Sequence, residues 1–290
     1  MSRTDVEFVS GGVVLRGWLY LPAGPGPHVG VVMTPGFNCV KEQLVAHDYP
    51  RAFSEAGLAA LLYDHPNCGD SDGTPRQELD PLAQERGYRD AITFLSQRPE
   101  VDPEAIGIWG TSYSGGLVLG VAAVDRRVKC VVSQVPTVSG GRALLRRYTP
   151  DGIAELRRQW AADRVARFRG DPPAMVTQIG DTGPSADYFA SLPEEALVNW
   201  VNAITLRTVE YASEYEPAAF IERISPTPLL MIVADGDETT FTEEELAAYQ
   251  RALEPKRLML VPGGHHSVYS THLAVTTAAT VEWLQQHLCH

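Results

Sequence analysis

The stretch Ile108–Gly116, "IWGTSYSGG", sets two serines among glycines directly after an apolar run. A strand ending near Gly110, then a serine, then a helix is a setting in which a serine hydroxyl can be presented as a nucleophile. Such a tight turn needs small neighbours, because a Cβ there meets the adjacent strand or helix. Ser112 has Gly110 two positions before it but Ser114 two after; Ser114 has Gly116 two after but Ser112 two before. Ser112 follows the strand at the shorter distance and is the preferred nucleophile, with Ser114 the alternative. The N–H of Tyr113 would then open the helix and point at a developing oxyanion. A serine hydroxyl is inert at neutral pH unless a base takes its proton. The rest of the chain must supply that base.

Working outward, short apolar runs alternate with amphipathic ones, the pattern of a mainly parallel sheet covered by helices. "DVEFVS" and "VVLRGWLYLP" pair as an opening hairpin, followed by strands at His28–Gly36, Leu58–Asp64, Ala105–Gly110 and Val128–Val135. Helices are expected over about Val40–Ala56 and Pro81–Gln97, and after the quoted motif to near Asp125. From Thr137 to Ile224 no strand of that quality occurs, only helical pieces broken by "RGDPP", "GDTGPS" and "SLPEE". "SLPE" at Ser191–Glu194 reads as a capping box with proline in the first turn. Strands resume at Thr227–Ala234 and Lys256–Pro262, with helices at Glu243–Leu253 and Ser270–Leu288. The expected organisation is a sheet domain in two parts, residues 1–136 and 226–290, with a helical lid inserted at 137–225.

Two later strand ends carry the partners. "DGDETTF" after Ala234 offers Asp235 and Asp237. Asp237 lies further into the loop and is preferred, because the acid must reach sideways to a histidine on the next loop. "PGGHHSVYS" offers His265, preceded by glycines that let the backbone bring the imidazole over the sheet, with His266 as the alternative. Taken singly, each is an ordinary loop residue. Together they stand just past strand ends in the order Ser…Asp…His, the α/β-hydrolase order, and ligands bind at that end of open α/β sheets. The loop "MTPGFN" (Met33–Asn38) follows the third strand, and the N–H of Phe37 is the expected second oxyanion donor.

With these pieces in place, the chain resembles the α/β-hydrolases over nearly its whole length. It is most similar to the branch holding polyketide transferases and thioester hydrolases. The matching stretches are Gly69–Pro81, Gly107–Leu119, Ala161–Pro173, Tyr215–Asp237 and Ala252–Tyr269. G-x-S-Y-x-G also resembles the elbow of the X-prolyl dipeptidyl aminopeptidase and cocaine esterase group. The resemblance implies Ser112 as nucleophile, Asp237 as acid and His265 as base. Two loops depart from the pattern: "PGF" has Pro35 where histidine is common, and "DHPNCG" (Asp64–Gly69) stands where D-Y-R-N-F-G is frequent. Both border the expected site and bear on the substrate.

Composition narrows the partners. A net charge of −12 disfavours nucleic acid and anionic membrane. The first residues hold no apolar leader run, and four scattered cysteines without a CxxC pair fit a cytoplasmic protein with reduced thiols. Cys39 and Cys68 fall in loops near the expected site, and a catalytic cysteine is the minor alternative there. Eight arginines lie between Arg142 and Arg169 against three acids, Asp151, Glu155 and Asp163. They read as a solvated face with pairs such as Asp163–Arg167, or as an attractor for an acidic group on the substrate. The lid aromatics Tyr148, Trp160, Tyr188, Phe189 and Trp200 read first as packing of the lid, and otherwise as the roof of an apolar pocket. The expected activity is cleavage of an ester or thioester, ahead of an amide, in a small-molecule acyl substrate through an acyl-serine. No cofactor or metal is expected, and a homodimer is left open. Acyl transfer to a small acceptor is the alternative within the same chemistry; a ligand-binding receptor is the alternative outside it.

Overall fold

The computed structural model describes residues 2–289. The strands are β1 (Ser2–Ser10), β2 (Val13–Leu21), β3 (His28–Thr34), β4 (Leu58–Tyr63), β5 (Val101–Thr111), β6 (Val128–Gln134), β7 (Met175–Val176), β8 (Ile204–Thr205), β9 (Leu229–Ala234) and β10 (Lys256–Val261). The helices are α1 (Lys41–Ala46), α2 (Tyr49–Glu55), α3 (Pro81–Ser96), α4 (Tyr113–Ala122), α5 (Gly140–Arg147), α6 (Pro150–Phe168), α7 (Pro184–Ser191), α8 (Leu206–Glu214), α9 (Thr242–Arg251) and α10 (Leu273–Leu288). Eight strands form one sheet in the order β1-β2-β4-β3-β5-β6-β9-β10. β1 and β2 pair antiparallel, as do β2 and β4, and the remaining neighbours are parallel. The fold is that of an α/β-hydrolase.

The core follows from period-two alternation in strands covered on both faces. In β4, Ala59, Leu61 and Tyr63 join the cluster under α3, α4 and α9, whereas Leu58, Ala60 and Leu62 join the cluster under α1, α2 and α10. In β5, Ile106 and Ile108 face the first cluster and Trp109 the second. This double coverage makes every residue of β4 and β9 buried. It also leaves the carboxyl ends of β3, β5, β9 and β10 together at one edge.

Three local expectations change. The helix expected over Val40–Ala56 is two helices, because Asp48 adopts a left-handed conformation and Pro50 sits in the first turn of α2. Ser191 ends α7 rather than capping a new helix; its hydroxyl bonds back to the Tyr188 carbonyl, and only a short 3-10 turn follows. The segment between β6 and β9 holds α5 to α8 and also a two-residue antiparallel pair, β7–β8.

A buried ion pair ties the start of α1 to the end of β4. Lys41 Nζ lies 2.8 Å from Asp64 Oδ2 and 4.6 Å from the Trp18 ring centroid, and both charged side chains are excluded from solvent. Asp64 Oδ1 also accepts from the Lys41 amide. A side chain at Gly69, which has a positive φ, would collide with the same carboxylate. Lys41→Met leaves that carboxylate buried without its cation and is expected to cost about 3–5 kcal/mol. Urea unfolding checks this: a midpoint equal to that of the unchanged protein would show the pair to be dispensable.

Candidate active site

Ser112 stands between β5 and α4 with φ 56° and ψ −120°, a strained conformation for a residue with a Cβ. Its amide donates to Gln134 O, and its carbonyl accepts from Thr137 N, so the end of β6 holds the turn closed. The glycines are there for close approach. A Cβ at Gly110 would lie 2.1 Å from the Ser114 carbonyl oxygen, and one at Gly116 2.2 Å from that of Thr137.

The two serines of the motif have different surroundings. Ser112 Oγ is 3.0 Å from His265 Nε2 and lines a cavity of about 590 Å³. Ser114 is fully buried behind it. Its hydroxyl donates to the Pro35 carbonyl and lies 3.1 Å from Nε2 of His65. Since that proton goes to Pro35, His65 carries its own on Nε2 and donates to Ser114. Burial lowers the His65 pKa to about 3, so the ring is neutral. The two loops that depart from the family pattern are thus joined through the second serine.

His265 Nδ1 is 2.7 Å from Asp237 Oδ2, and both side chains are buried. Asp237 Oδ1 accepts from the amides of Thr239 and Thr240, and Oδ2 accepts from the Thr240 hydroxyl at 2.8 Å. Burial alone would raise the Asp237 pKa; the His265 and Thr240 contacts outweigh it and hold the carboxyl below its ordinary value. An ionised Asp237 fixes the imidazole proton on Nδ1 and leaves Nε2 as an acceptor facing Ser112. Asp235 instead accepts from the Gly263 amide, bracing the glycines before His265.

His266 turns to the inserted segment. Its ring stacks on Tyr188 at 4.3 Å, and Nε2 lies 3.2 Å from Ser185 Oγ. Burial lowers its pKa to about 3. His47 also lies near parallel to the Tyr188 ring and meets the tyrosine hydroxyl at 2.6 Å.

Gly36 passes so close to Ser112 that a Cβ there would lie 3.2 Å from the serine Cβ. Phe37 and Tyr113 both line the cavity, and their rings pack edge to face at 4.9 Å, a contact worth about 0.5–1.5 kcal/mol beyond burial. Among the described residues, neither backbone amide donates to a protein acceptor. The Phe37 carbonyl accepts from Gln178 Nε2, and Gln178 Oε1 accepts from Asn38, so the inserted segment braces this loop. Gln178, Thr240 and Glu245, described below, belong to the site's surroundings yet carried no signal in the sequence.

Burial pushes the Cys39 and Cys68 thiols up to about 12, away from the thiolate that a catalytic cysteine needs. All four cysteines are free. Of the arginines, Arg142 and Arg146 pair with Glu244, Arg158 with Glu155, Arg164 with Glu210, and Arg167 with Asp163 at 2.7 Å. Arg147 differs: it lines the cavity and donates to the Thr239 carbonyl. Tyr148, Tyr188 and Phe189 line the cavity as well, whereas Trp160 is buried away from it. No helix among the described residues is long and apolar enough to cross a membrane.

An ordered Ser–His–carboxylate series beside two unspent amides can support acyl chemistry at the serine oxygen. Comparison with known proteins agrees with the architecture. Residues 31–279 match the alpha/beta hydrolase family, and the chain belongs to that family. It is 34% identical over 280 residues to the thiohydrolase aneE of Aspergillus aculeatus, covering 91% of this chain and 86% of that protein. It is 31% identical to the polyketide transferase grgF of a Penicillium species, covering 92% and 90% respectively. The crystal structure of the α/β-hydrolase GrgF from Penicillium sp. sh18 superposes with a TM-score of 0.87 at 28% identity, over the whole of both chains.

Proposed function

We propose that this protein is a serine hydrolase that cleaves a thioester or ester of a small acyl compound through an acyl-serine. The observation that carries this reading is the Ser112 Oγ–His265 Nε2 contact at 3.0 Å, opening onto the cavity with Asp237 behind the imidazole. Ser112 Oγ attacks the acyl carbon while His265 Nε2 takes its proton. The oxyanion is received by the N–H groups of Phe37 and Tyr113, and the imidazolium gives its proton to the departing thiol or alcohol. Water, deprotonated by His265, then releases the acid and frees Ser112. Residues 137–225 act as a lid over this site.

Acyl transfer is the second reading, favoured by relatives described as polyketide transferases. Transfer requires a held acceptor, because bulk water stands at about 55 M and only positioning, equivalent to roughly 10⁵–10⁸ M, outcompetes it. The "RGDPP" and "GDTGPS" breaks separate the lid helices α6 and α7, and a lid jointed in this way favours water as the acceptor. Incubation with an activated acyl thioester and a panel of alcohols and amines decides between them. Free acid is expected as the main product. Saturable capture by one acceptor at millimolar concentration, with little acid formed, would make the enzyme a transferase. Absence of both products and of an acyl-Ser112 adduct would make it a receptor.

A further inference from the structure

Behind Asp237 lies a second carboxyl that the mechanism above does not use. Glu245, in the first half of α9, is fully excluded from solvent. Its Oε1 is 2.9 Å from Thr240 Oγ1, and its Oε2 has no partner among the described residues. The same threonine oxygen is 2.8 Å from Asp237 Oδ2. One hydroxyl therefore stands between two carboxyl groups, and it has one proton to give. Were both carboxyls ionised, one contact would set an oxygen lone pair against an anion, and an unpartnered anionic oxygen would remain buried. Both are costly in a dry interior. Asp237 is the ionised one, since it also accepts from His265 and two amides. The remaining proton belongs on Glu245.

We propose that Glu245 is a positioning residue: as a neutral acid it donates to Thr240 Oγ1 and thereby aims the threonine proton at Asp237 Oδ2. Two runs of donors then converge on Asp237: Glu245 to Thr240 to Asp237 from one side, and Ser112 to His265 to Asp237 from the other. The consequence is orientation. Thr240 Oγ1 also lies 3.3 Å from His265 Nδ1, so a hydroxyl turned away from Asp237 would present its lone pairs to the imidazole N–H and draw it off the carboxylate. Through Thr240, Glu245 faces Asp237 on the preceding loop and His265 from the loop after β10, and Arg147 of α5 reaches the adjoining Thr239 carbonyl. The neighbouring Glu244 is occupied by Arg142 and Arg146. Loss of the Glu245 proton at high pH would turn Thr240 toward Glu245 and take a donor from Asp237.

This inference rests on the roles given to Asp237 and His265 above, and its test has one readout that needs no turnover. E245Q keeps a donor for Thr240, whereas E245L removes it without stranding a charge. With an activated thioester, E245L is expected to lose about tenfold in kcat with KM within about twofold, and E245Q to restore kcat to within about threefold of the unchanged enzyme. The alkaline fall in kcat of the unchanged enzyme is expected to be absent in E245Q. Without substrate, the far-downfield proton resonance of His265 Nδ1 should keep its position in E245Q and move in E245L. Equal losses of kcat in both variants, with that resonance unmoved, would reduce Glu245 to a packing residue. An E245L enzyme with unchanged kcat, pH profile and resonance would overturn the proposal outright. If none of the proteins turns over any ester, the resonance still decides the positioning role, and it is the assignment of activity that fails.

Discussion

Ser112→Ala is expected to abolish labelling by a fluorophosphonate and to lower kcat at least about 10⁴-fold, with folding unchanged. The size follows from the geometry. Ser112 Oγ is the hydroxyl that both faces the cavity and touches His265 Nε2, so without it the imidazole has no oxygen to activate but water. Folding survives because the turn is held by backbone bonds to Gln134 and Thr137, which alanine keeps. Ser114→Ala is expected to behave differently. It leaves the Pro35 carbonyl and His65 Nε2 without their shared hydroxyl, and orphaned buried polar groups cost about 1–3 kcal/mol. Stability falls while labelling persists, and the rate drops modestly because Pro35 begins the loop that carries the Phe37 amide. Intact protein mass after labelling and a thermal melt separate the two variants. Labelling that survives in Ser112→Ala but vanishes in Ser114→Ala would exchange their roles.

The sequence was readable where chemistry sits at strand ends. Ser112, Asp237 and His265 each stand within a few residues of a strand's carboxyl end, and parallel strands bring those ends together whatever the spacing between them along the chain. Composition and turn residues were enough to place them. The supporting residues were hidden for a physical reason. Glu245 belongs to "TEEE" at Thr242–Glu245, which reads as acidic residues solvated at a helix start and favoured there by the helix dipole; only the packing of α9 turns one of them inward. Gln178 lies 141 residues from Phe37, whose carbonyl it holds, and no local pattern announces such a contact. The break at Asp48 was missed because periodicity runs through it, and a left-handed residue before Pro50 leaves the apolar spacing on either side intact. The "DHPNCG" loop was legible as a departure, but its link to Ser114 through His65 was not.

Replacing His265 by alanine is expected to lower kcat by about 10⁴-fold or more, and Asp237→Asn by a similar factor. The second change is the more informative, because asparagine fills the same space. Asp237 Oδ1 accepts from two backbone amides that cannot turn away, so the amide oxygen of an asparagine must take that place. Its NH2 group then replaces Oδ2, 2.7 Å from His265 Nδ1. Two N–H groups cannot face each other there, and the neutral imidazole must carry its proton on Nε2 instead. That nitrogen faces Ser112 Oγ and can no longer accept its proton. The loss thus comes from a wrong tautomer with the geometry intact, and it falls on kcat rather than KM. His266→Ala and Asp235→Asn are the controls. The first removes a ring stacked on Tyr188, so its effect should be a few-fold change weighted toward KM. The second keeps an oxygen for the Gly263 amide and should be nearly silent. Steady-state kinetics of the four variants on one thioester suffices, and collapse in either control beside a mild effect in its neighbour would shift the assigned residue in that loop.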